Sequence, residues 1–318
     1  MSDSEKPKSW KELKQSIKHK WAVPFVYFEW KCEQLSGLLK RWAFLDILGH
    51  ASRLAILLAL ISYINGCPER RMQAENQRQQ AVDQRKAKHY QAWQVIIAAQ
   101  GQLNGGGRAD ALQDLNRDGI SLKSIDISKA FLPDLNLENA ILNDANLAGA
   151  DLEKAILTGA DLEKANLAGA KLFGANLDGA DIRDANFAGA SLRRAEFAKA
   201  KLWHANFDGA DLEKANFAGA NLNDANLTRA NLVGASLDGA FLFSAILTGA
   251  DLSHAKLVNI KGWQEIKSIE DANIYGVRNP PDGFIEWAIE HGAVRIKGEK
   301  EWEKLEREKR QEQTQQKQ

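Results

Sequence analysis

Cysteine is nearly absent. Cys32 and Cys67 are the only two, too few for a disulfide scaffold or a cysteine-rich zinc module. Six scattered histidines form no closely spaced ligand set, so no metal site is expected. Net charge is absent too: 42 Lys and Arg balance 42 Asp and Glu. A general nucleic-acid coat needs a basic excess to displace counterions, so no direct nucleic-acid partner is expected. The chain carries no phosphate loop, no G-x-S-x-G elbow and no H-E-x-x-H pair. With no such motif, neither an enzyme nor a cofactor is expected. What is present is 318 residues, 44% of them apolar, enough for a buried core.

The even charge hides a split. Residues 1–42 carry nine basic and five acidic side chains, whereas 121–260 carry thirteen and eighteen. A basic N-terminal third thus precedes a mildly acidic body, which suggests different surroundings for the two.

The body is periodic. From Leu122 to Leu257 every fifth residue is Leu, Ile or Phe, giving 28 units without a break. Ala precedes the next large residue by two positions almost throughout, and Asp or Asn stands directly before many, as in Ala145-Asn146-Leu147 and Ala160-Asp161-Leu162. A period of five fits neither a helix nor a strand. Each unit must therefore turn the chain by a fixed angle.

The A-(D/N)-L-x-x pattern resembles the pentapeptide-repeat family over about 140 residues, in one register throughout. The resemblance implies an all-β solenoid, a right-handed quadrilateral parallel β-helix with four units to the coil and the large and small residues turned inward. Twenty-eight units would make about seven coils, a rod roughly 34 Å long at strand-like spacing.

Centres 20 residues apart share a face. Two opposite faces, containing Leu147 and Leu157, hold nine of the eleven glycines that end a unit. The other two hold 14 of the 21 charged residues in the outward pair, including Glu153-Lys154, Arg193-Arg194 and Glu213-Lys214. The glycines serve either turns that need positive φ or a smooth docking surface. Phe187, Phe197, Phe207 and Phe217 occupy inward positions and are read as lumen filling. Trp203, Phe241 and Phe243 fall outside the inward register and, with Arg193 and Arg194, are the candidate interface.

Solenoid ends need caps. Residues 108–121 are assigned to the N-terminal cap, 122–260 to the rod, 261–297 to a C-terminal helical cap and 298–318 to a solvated or disordered charged tail. Phe284, Trp287 and Ile289 are expected to lie over the last coil. Asp114-Leu115-Asn116-Arg117-Asp118-Gly119 opens like a calcium loop, but the twelfth position is Ile125 where a bidentate Glu belongs. A capping turn is the expected reading.

Before the rod, 1–42 form a basic, aromatic helical segment, 43–65 a candidate transmembrane helix, and 66–107 a linker helix with a Gly-rich joint. The 23 residues of 43–65 would reach about 34 Å. Asp46, His50 and Arg53, spaced i, i+4, i+7, form a polar stripe that would face a partner helix in a homo-oligomer or lie in the interface plane. A buried helical pair is the other reading. The expectation is a single-pass membrane protein with 43–65 in lipid and the rod cytoplasmic, a non-enzymatic scaffold binding a protein partner. The alternative, implied by the family resemblance, is a DNA-mimicking inhibitor or protector of a type II topoisomerase.

Overall fold

The computed structural model describes residues 50–99 and 107–298, with parts of 301–311. The chain divides into two compact units, 1–84 and 85–318. Helix α1 (His50–Ala98) supplies the described part of the first unit, and its last turns belong to the second. The expected 1–42 segment, Asp46 and the Gly-rich joint at 101–106 lie outside the described residues.

The expected membrane span is corrected. Among the described residues no helix is long and apolar enough to cross a membrane. The apolar run Leu54–Ile64 covers only about 16 Å of helix against a hydrocarbon core of about 30 Å. His50 and Arg53 stand in the first turn of α1, and its later sequence is rich in Gln, Arg and Lys. The single-pass membrane localisation, and the side of the membrane assigned to the rod with it, fall with the span. The side chains of Ala55–Tyr63 are exposed.

The second unit is a β-helix. Parallel bridges join Asp126 to Asn146, Asn146 to Asn166 and so on at intervals of 20 residues, up to Phe241 with Lys261. Each five-residue side contributes a single bridged residue to the ladder. One unit shows why. Asn146 N–H donates to Ile125 O (2.8 Å), Leu147 N–H to Asn166 O (2.7 Å) and Gly149 N–H to Ala168 O (2.9 Å), while Ala150 N–H closes a turn onto Leu147 O (3.0 Å). Only the Ala148 N–H is left over, and Asn146 Oδ1 accepts it (3.3 Å). The repeated Asp or Asn thus completes the backbone accounting that a buried-backed turn demands. The Asn side chains also bond one another along the rod, Asn206 Nδ2 to Asn186 Oδ1 and Asn226 Nδ2 to Asn206 Oδ1, both 3.0 Å.

Every turn needs a positive φ at its third place, as a type II turn does. Gly149 (65°) supplies it, but so do Lys154 (56°), Asp184 (57°), Arg194 (57°) and His204 (57°). The requirement is the same on all four sides, so turn geometry alone does not explain why nine of the eleven glycines fall on two of them.

The lumen is filled by the large and small residues of each unit, nearly all fully buried. Phe187 stacks on Phe207 (centroids 5.1 Å apart) and Phe197 on Phe217 (4.9 Å), with edge contacts of 6.0–6.3 Å across the lumen. Four rings from two opposite sides therefore fill consecutive coils.

At the N-terminal end, helix α2 (Arg108–Arg117) buries Leu112 and Leu115 over the first coil, together with Ile96 from the end of α1. At the other end the ladder runs past 260. Trp263–Glu265 forms a 3-10 turn, and the pairing resumes at intervals of 22 in Ile246 with Ser268, Asp251 with Asn273 and Lys256 with Arg278. Helix α3 (Phe284–Glu290) then closes the rod. Phe284 and Ala288, four residues apart on one helix face, are buried. Ile289 is 48% exposed, so it does not lie over the last coil as expected. Within the tail Trp302 is only 7% exposed, whereas Glu301, Lys304, Arg307, Glu308 and Gln311 are exposed.

Candidate interaction surface

The four sides of the rod sort the sequence candidates. Leu202 and Leu242 belong to one side, being 40 residues apart in a 20-residue coil. Trp203 and Phe243 follow these two residues and Phe241 precedes the second, so all three aromatics share that side. Trp203 (40% exposed) and Phe243 (39%) stand two coils apart, about 10 Å along the rod. Arg193 and Arg194 follow Leu192, on the opposite side. The five candidates thus divide between two surfaces.

Each aromatic is held. The Arg183 guanidinium lies 5.6 Å from the Trp203 ring and the Lys261 ammonium 4.4 Å from Phe241, both within cation–π range. Phe243 packs against the backbone of Gly262, where an added Cβ would stand 2.5 Å from the ring. Arg183 is itself fixed by Asp181 (2.6 Å) and Glu163 (2.8 Å). Lys201 completes the group at 3.2 Å from Asp181. Burial pushes the Asp181 carboxyl upward, but the hydrogen bonds from Arg183 and Lys201 outweigh it and hold the group below its usual value. Around Trp203 the charges of Glu163, Asp181, Arg183 and Lys201 are paired with one another.

On the opposite side Arg193 reaches Glu213 (2.5 Å), and Arg194 lies 6.0 Å over the Phe173 ring. The Lys214 hydrogen bond is the main reason the Glu213 carboxyl sits low, with Arg193 adding to it. The two arginines are bound up within the rod's own surface.

The calcium-like residues are all engaged elsewhere. Asp114 meets Arg117 (2.7 Å) and Lys88 (3.8 Å), Asn116 donates to Glu138 O (3.0 Å), and Asp118 meets His89 (2.6 Å). No group of His, Cys, Asp or Glu among the described residues could hold a metal ion. His50 and Arg53 fall in α1, where the polar stripe loses the membrane role expected of it.

Sequence reasoning missed a cleft of about 710 Å³ on the Arg193 side, lined in part by Asp251, Ser253, Tyr275, Ile296 and Trp302. Asp251 stands in the same Ala-Asp-Leu context as many solvated repeats. Nothing local marks it, because the tail that covers it arrives from 45 and more residues away.

The sequence model "Pentapeptide repeats" matches in eight copies over residues 120–159, 157–189, 190–229 and 225–261. No curated protein matches the chain as a whole. Among solved structures, a pentapeptide repeat protein of the Arabidopsis thaliana thylakoid lumen is 33% identical, over 33% of this chain and 72% of that one, with a TM-score of 0.31. HetL, a pentapeptide repeat protein involved in heterocyst differentiation regulation in Nostoc sp. strain PCC 7120, is 24% identical over 54% and 97% of the two chains, TM-score 0.25. QnrB1, a plasmid-mediated fluoroquinolone resistance protein, is 16% identical over 54% and 88%, TM-score 0.29. A five-residue register that sets the coil, the turn and the lumen alike, matched in eight copies and in a relative covered over most of its length, places this chain in the pentapeptide-repeat family.

Proposed function

We propose that the protein is a non-enzymatic interaction scaffold whose docking side carries Trp203, Phe241 and Phe243. The observation that carries this reading is the exposure of Trp203 and Phe243 on one rigid side. Exposed aromatics held in place lose little entropy on binding, and they are the residues that most often anchor interfaces. The lumen supports a non-catalytic role, since its Leu, Phe and Ala side chains leave the rod interior filled.

A photo-crosslinking residue at position 203 in the full-length chain, compared with one at 148 on a glycine-rich side, tests this. The scaffold reading expects a discrete partner adduct from position 203 that disappears when Phe243→Ala is added. Equal adducts from both positions would remove the aromatic side from consideration.

Imitation of duplex DNA is the weaker reading. It calls for an unbroken acidic surface, whereas Glu163, Asp181, Asp208 and Glu213 each have a Lys or Arg within 4 Å. A supercoiling assay with the full-length protein distinguishes the two, with no topoisomerase inhibition expected. Association of two copies through the exposed stretch Ile56–Tyr63 is proposed as the route to any homo-oligomer. Sedimentation of Leu57→Lys beside the parent chain checks it, with a loss of self-association expected.

A further inference from the structure

The cleft on the Arg193 side differs from the rest of the rod in one respect. Elsewhere on that side Asp151 has Lys171 at 3.5 Å and Asp211 has Arg193 at 4.0 Å. Asp251 occupies the same place in its coil, but its bonding partners among the described residues are Ser253, whose N–H lies 2.8 Å from Oδ1, and Asn273. No cation among the described residues is within ion-pair distance of it. The strap that follows Val294 covers it. Asn273 donates to Ile296 O (3.2 Å) and accepts from Ile296 N–H (3.1 Å), which pins the strap to the rod. Trp302 is then buried and lines the cleft with Tyr275.

A carboxylate removed from water costs free energy unless a positive charge faces it. Here Ser253 and Asn273 supply hydrogen bonds and the strap narrows access to water, while the described residues supply no cation. The cleft volume of about 710 Å³ is within the range of small-molecule sites. Its two aromatic side chains suit the flank of an organic cation.

We propose that this cleft binds a protonated alkylamine, with the ammonium on Asp251 and the alkyl chain along Tyr275, Ile296 and Trp302. The amine is either a free molecule or the lysine side chain of a partner. The other charged groups at the cleft are already committed. Glu213 is paired with Lys214 and Arg193, and Arg229 with Asp208. His254 rests edge-on to Tyr275, and the described strap residues that line the cleft (Ile296, Gly298, Trp302) bring no ionisable side chain. Burial pushes the Asp251 carboxyl above its usual value. A bound cation favours the ionised form, so affinity rises as pH climbs through that raised value and is lost below it.

The test uses full-length protein and Asp251→Asn, titrated with n-butylamine and followed by ligand-observed NMR, with n-butanol as the neutral control. Asn already occupies the equivalent place at 231 and 273 and receives the same turn hydrogen bond there, so the variant keeps its fold. Saturable binding of the amine, weakened about tenfold or more in Asp251→Asn, is expected. Equal binding of butanol, or an unchanged affinity in the variant, overturns the proposal. A Gly-Lys-Gly peptide separates the sources. Tighter binding than butylamine points to a partner's lysine and weaker binding to a free amine, while binding of neither removes the site.

Discussion

His89 Nε2 lies 2.6 Å from Asp118 Oδ2, joining the last turns of α1 to the residue that ends α2. This bond spans 29 residues and fixes the helix end that covers the first coil. It is also the main reason the Asp118 carboxyl sits below its usual value, with Arg85 and Lys88 assisting. A lowered carboxyl contributes stability that is complete above the unfolded value near 3.9 and is lost as pH falls through the lowered one. Acidification should therefore release the end of α1 before the rod unfolds. Hydrogen exchange across residues 89–98 checks this, and His89→Ala should raise exchange there at neutral pH while leaving the coils protected.

Arg108 is 1% exposed, and its Nε and Nη2 have no hydrogen-bond partner among the described residues. Burial accordingly lowers its pKa. An unpaired buried cation is the kind of group whose replacement by an apolar side chain of similar size stabilises. Arg108→Met should raise stability by about 1–3 kcal/mol. Denaturant titration of the two proteins reads the change, and a loss of stability would mean that the guanidinium has a role in the fold.

The four-ring stack predicts a steep cost for truncation. Phe197 touches Phe187, Phe207 and Phe217. Phe197→Ala should cost about 3–5 kcal/mol. Phe197→Leu should cost less, because Leu fills this place in the coils above 217 and below 187. Coils contact only their neighbours, so the loss should appear as locally raised exchange near 187–217 as well as a lowered midpoint.

Gly262 combines a φ of 68° with a ring against its backbone, for an added Cβ would stand 2.5 Å from Phe243. Gly262→Ala should destabilise by about 1–3 kcal/mol, through backbone strain together with overpacking. Gly189 has a φ of 64° but nothing within 4 Å of the added atom. Its alanine variant should cost only the conformational part, about 1 kcal/mol. Equal midpoints for the two variants would show that the Phe243 contact is soft.

The rod was legible because its rule is local and repeated. One five-residue unit fixes which residue turns inward, which accepts the spare amide and which takes positive φ, as Asn146 to Ala150 show. Reading failed where a property depends on length or on distant chain. The stretch 43–65 has the composition of a span, yet its uninterrupted apolar run ends at Ile64 after starting at Leu54. Ile289 looks as apolar as Phe284, but the helical period turns it outward.

The period, the 20-residue coil and the identity of the lumen residues could be read from the amino acids alone, because each follows from contacts within one unit or between adjacent copies. The register already puts Trp203, Phe241 and Phe243 on one side and Arg193 and Arg194 on the opposite one, whereas the contacts of Arg183 with Trp203 and of Lys261 with Phe241 come from the folded chain. Later chain also decides that the ladder resumes at intervals of 22 beyond Trp263 and that Ile296 and Trp302 line the cleft at Asp251. Those features depend on where a later segment folds back, and Asp251 carries no mark of that in its own five residues.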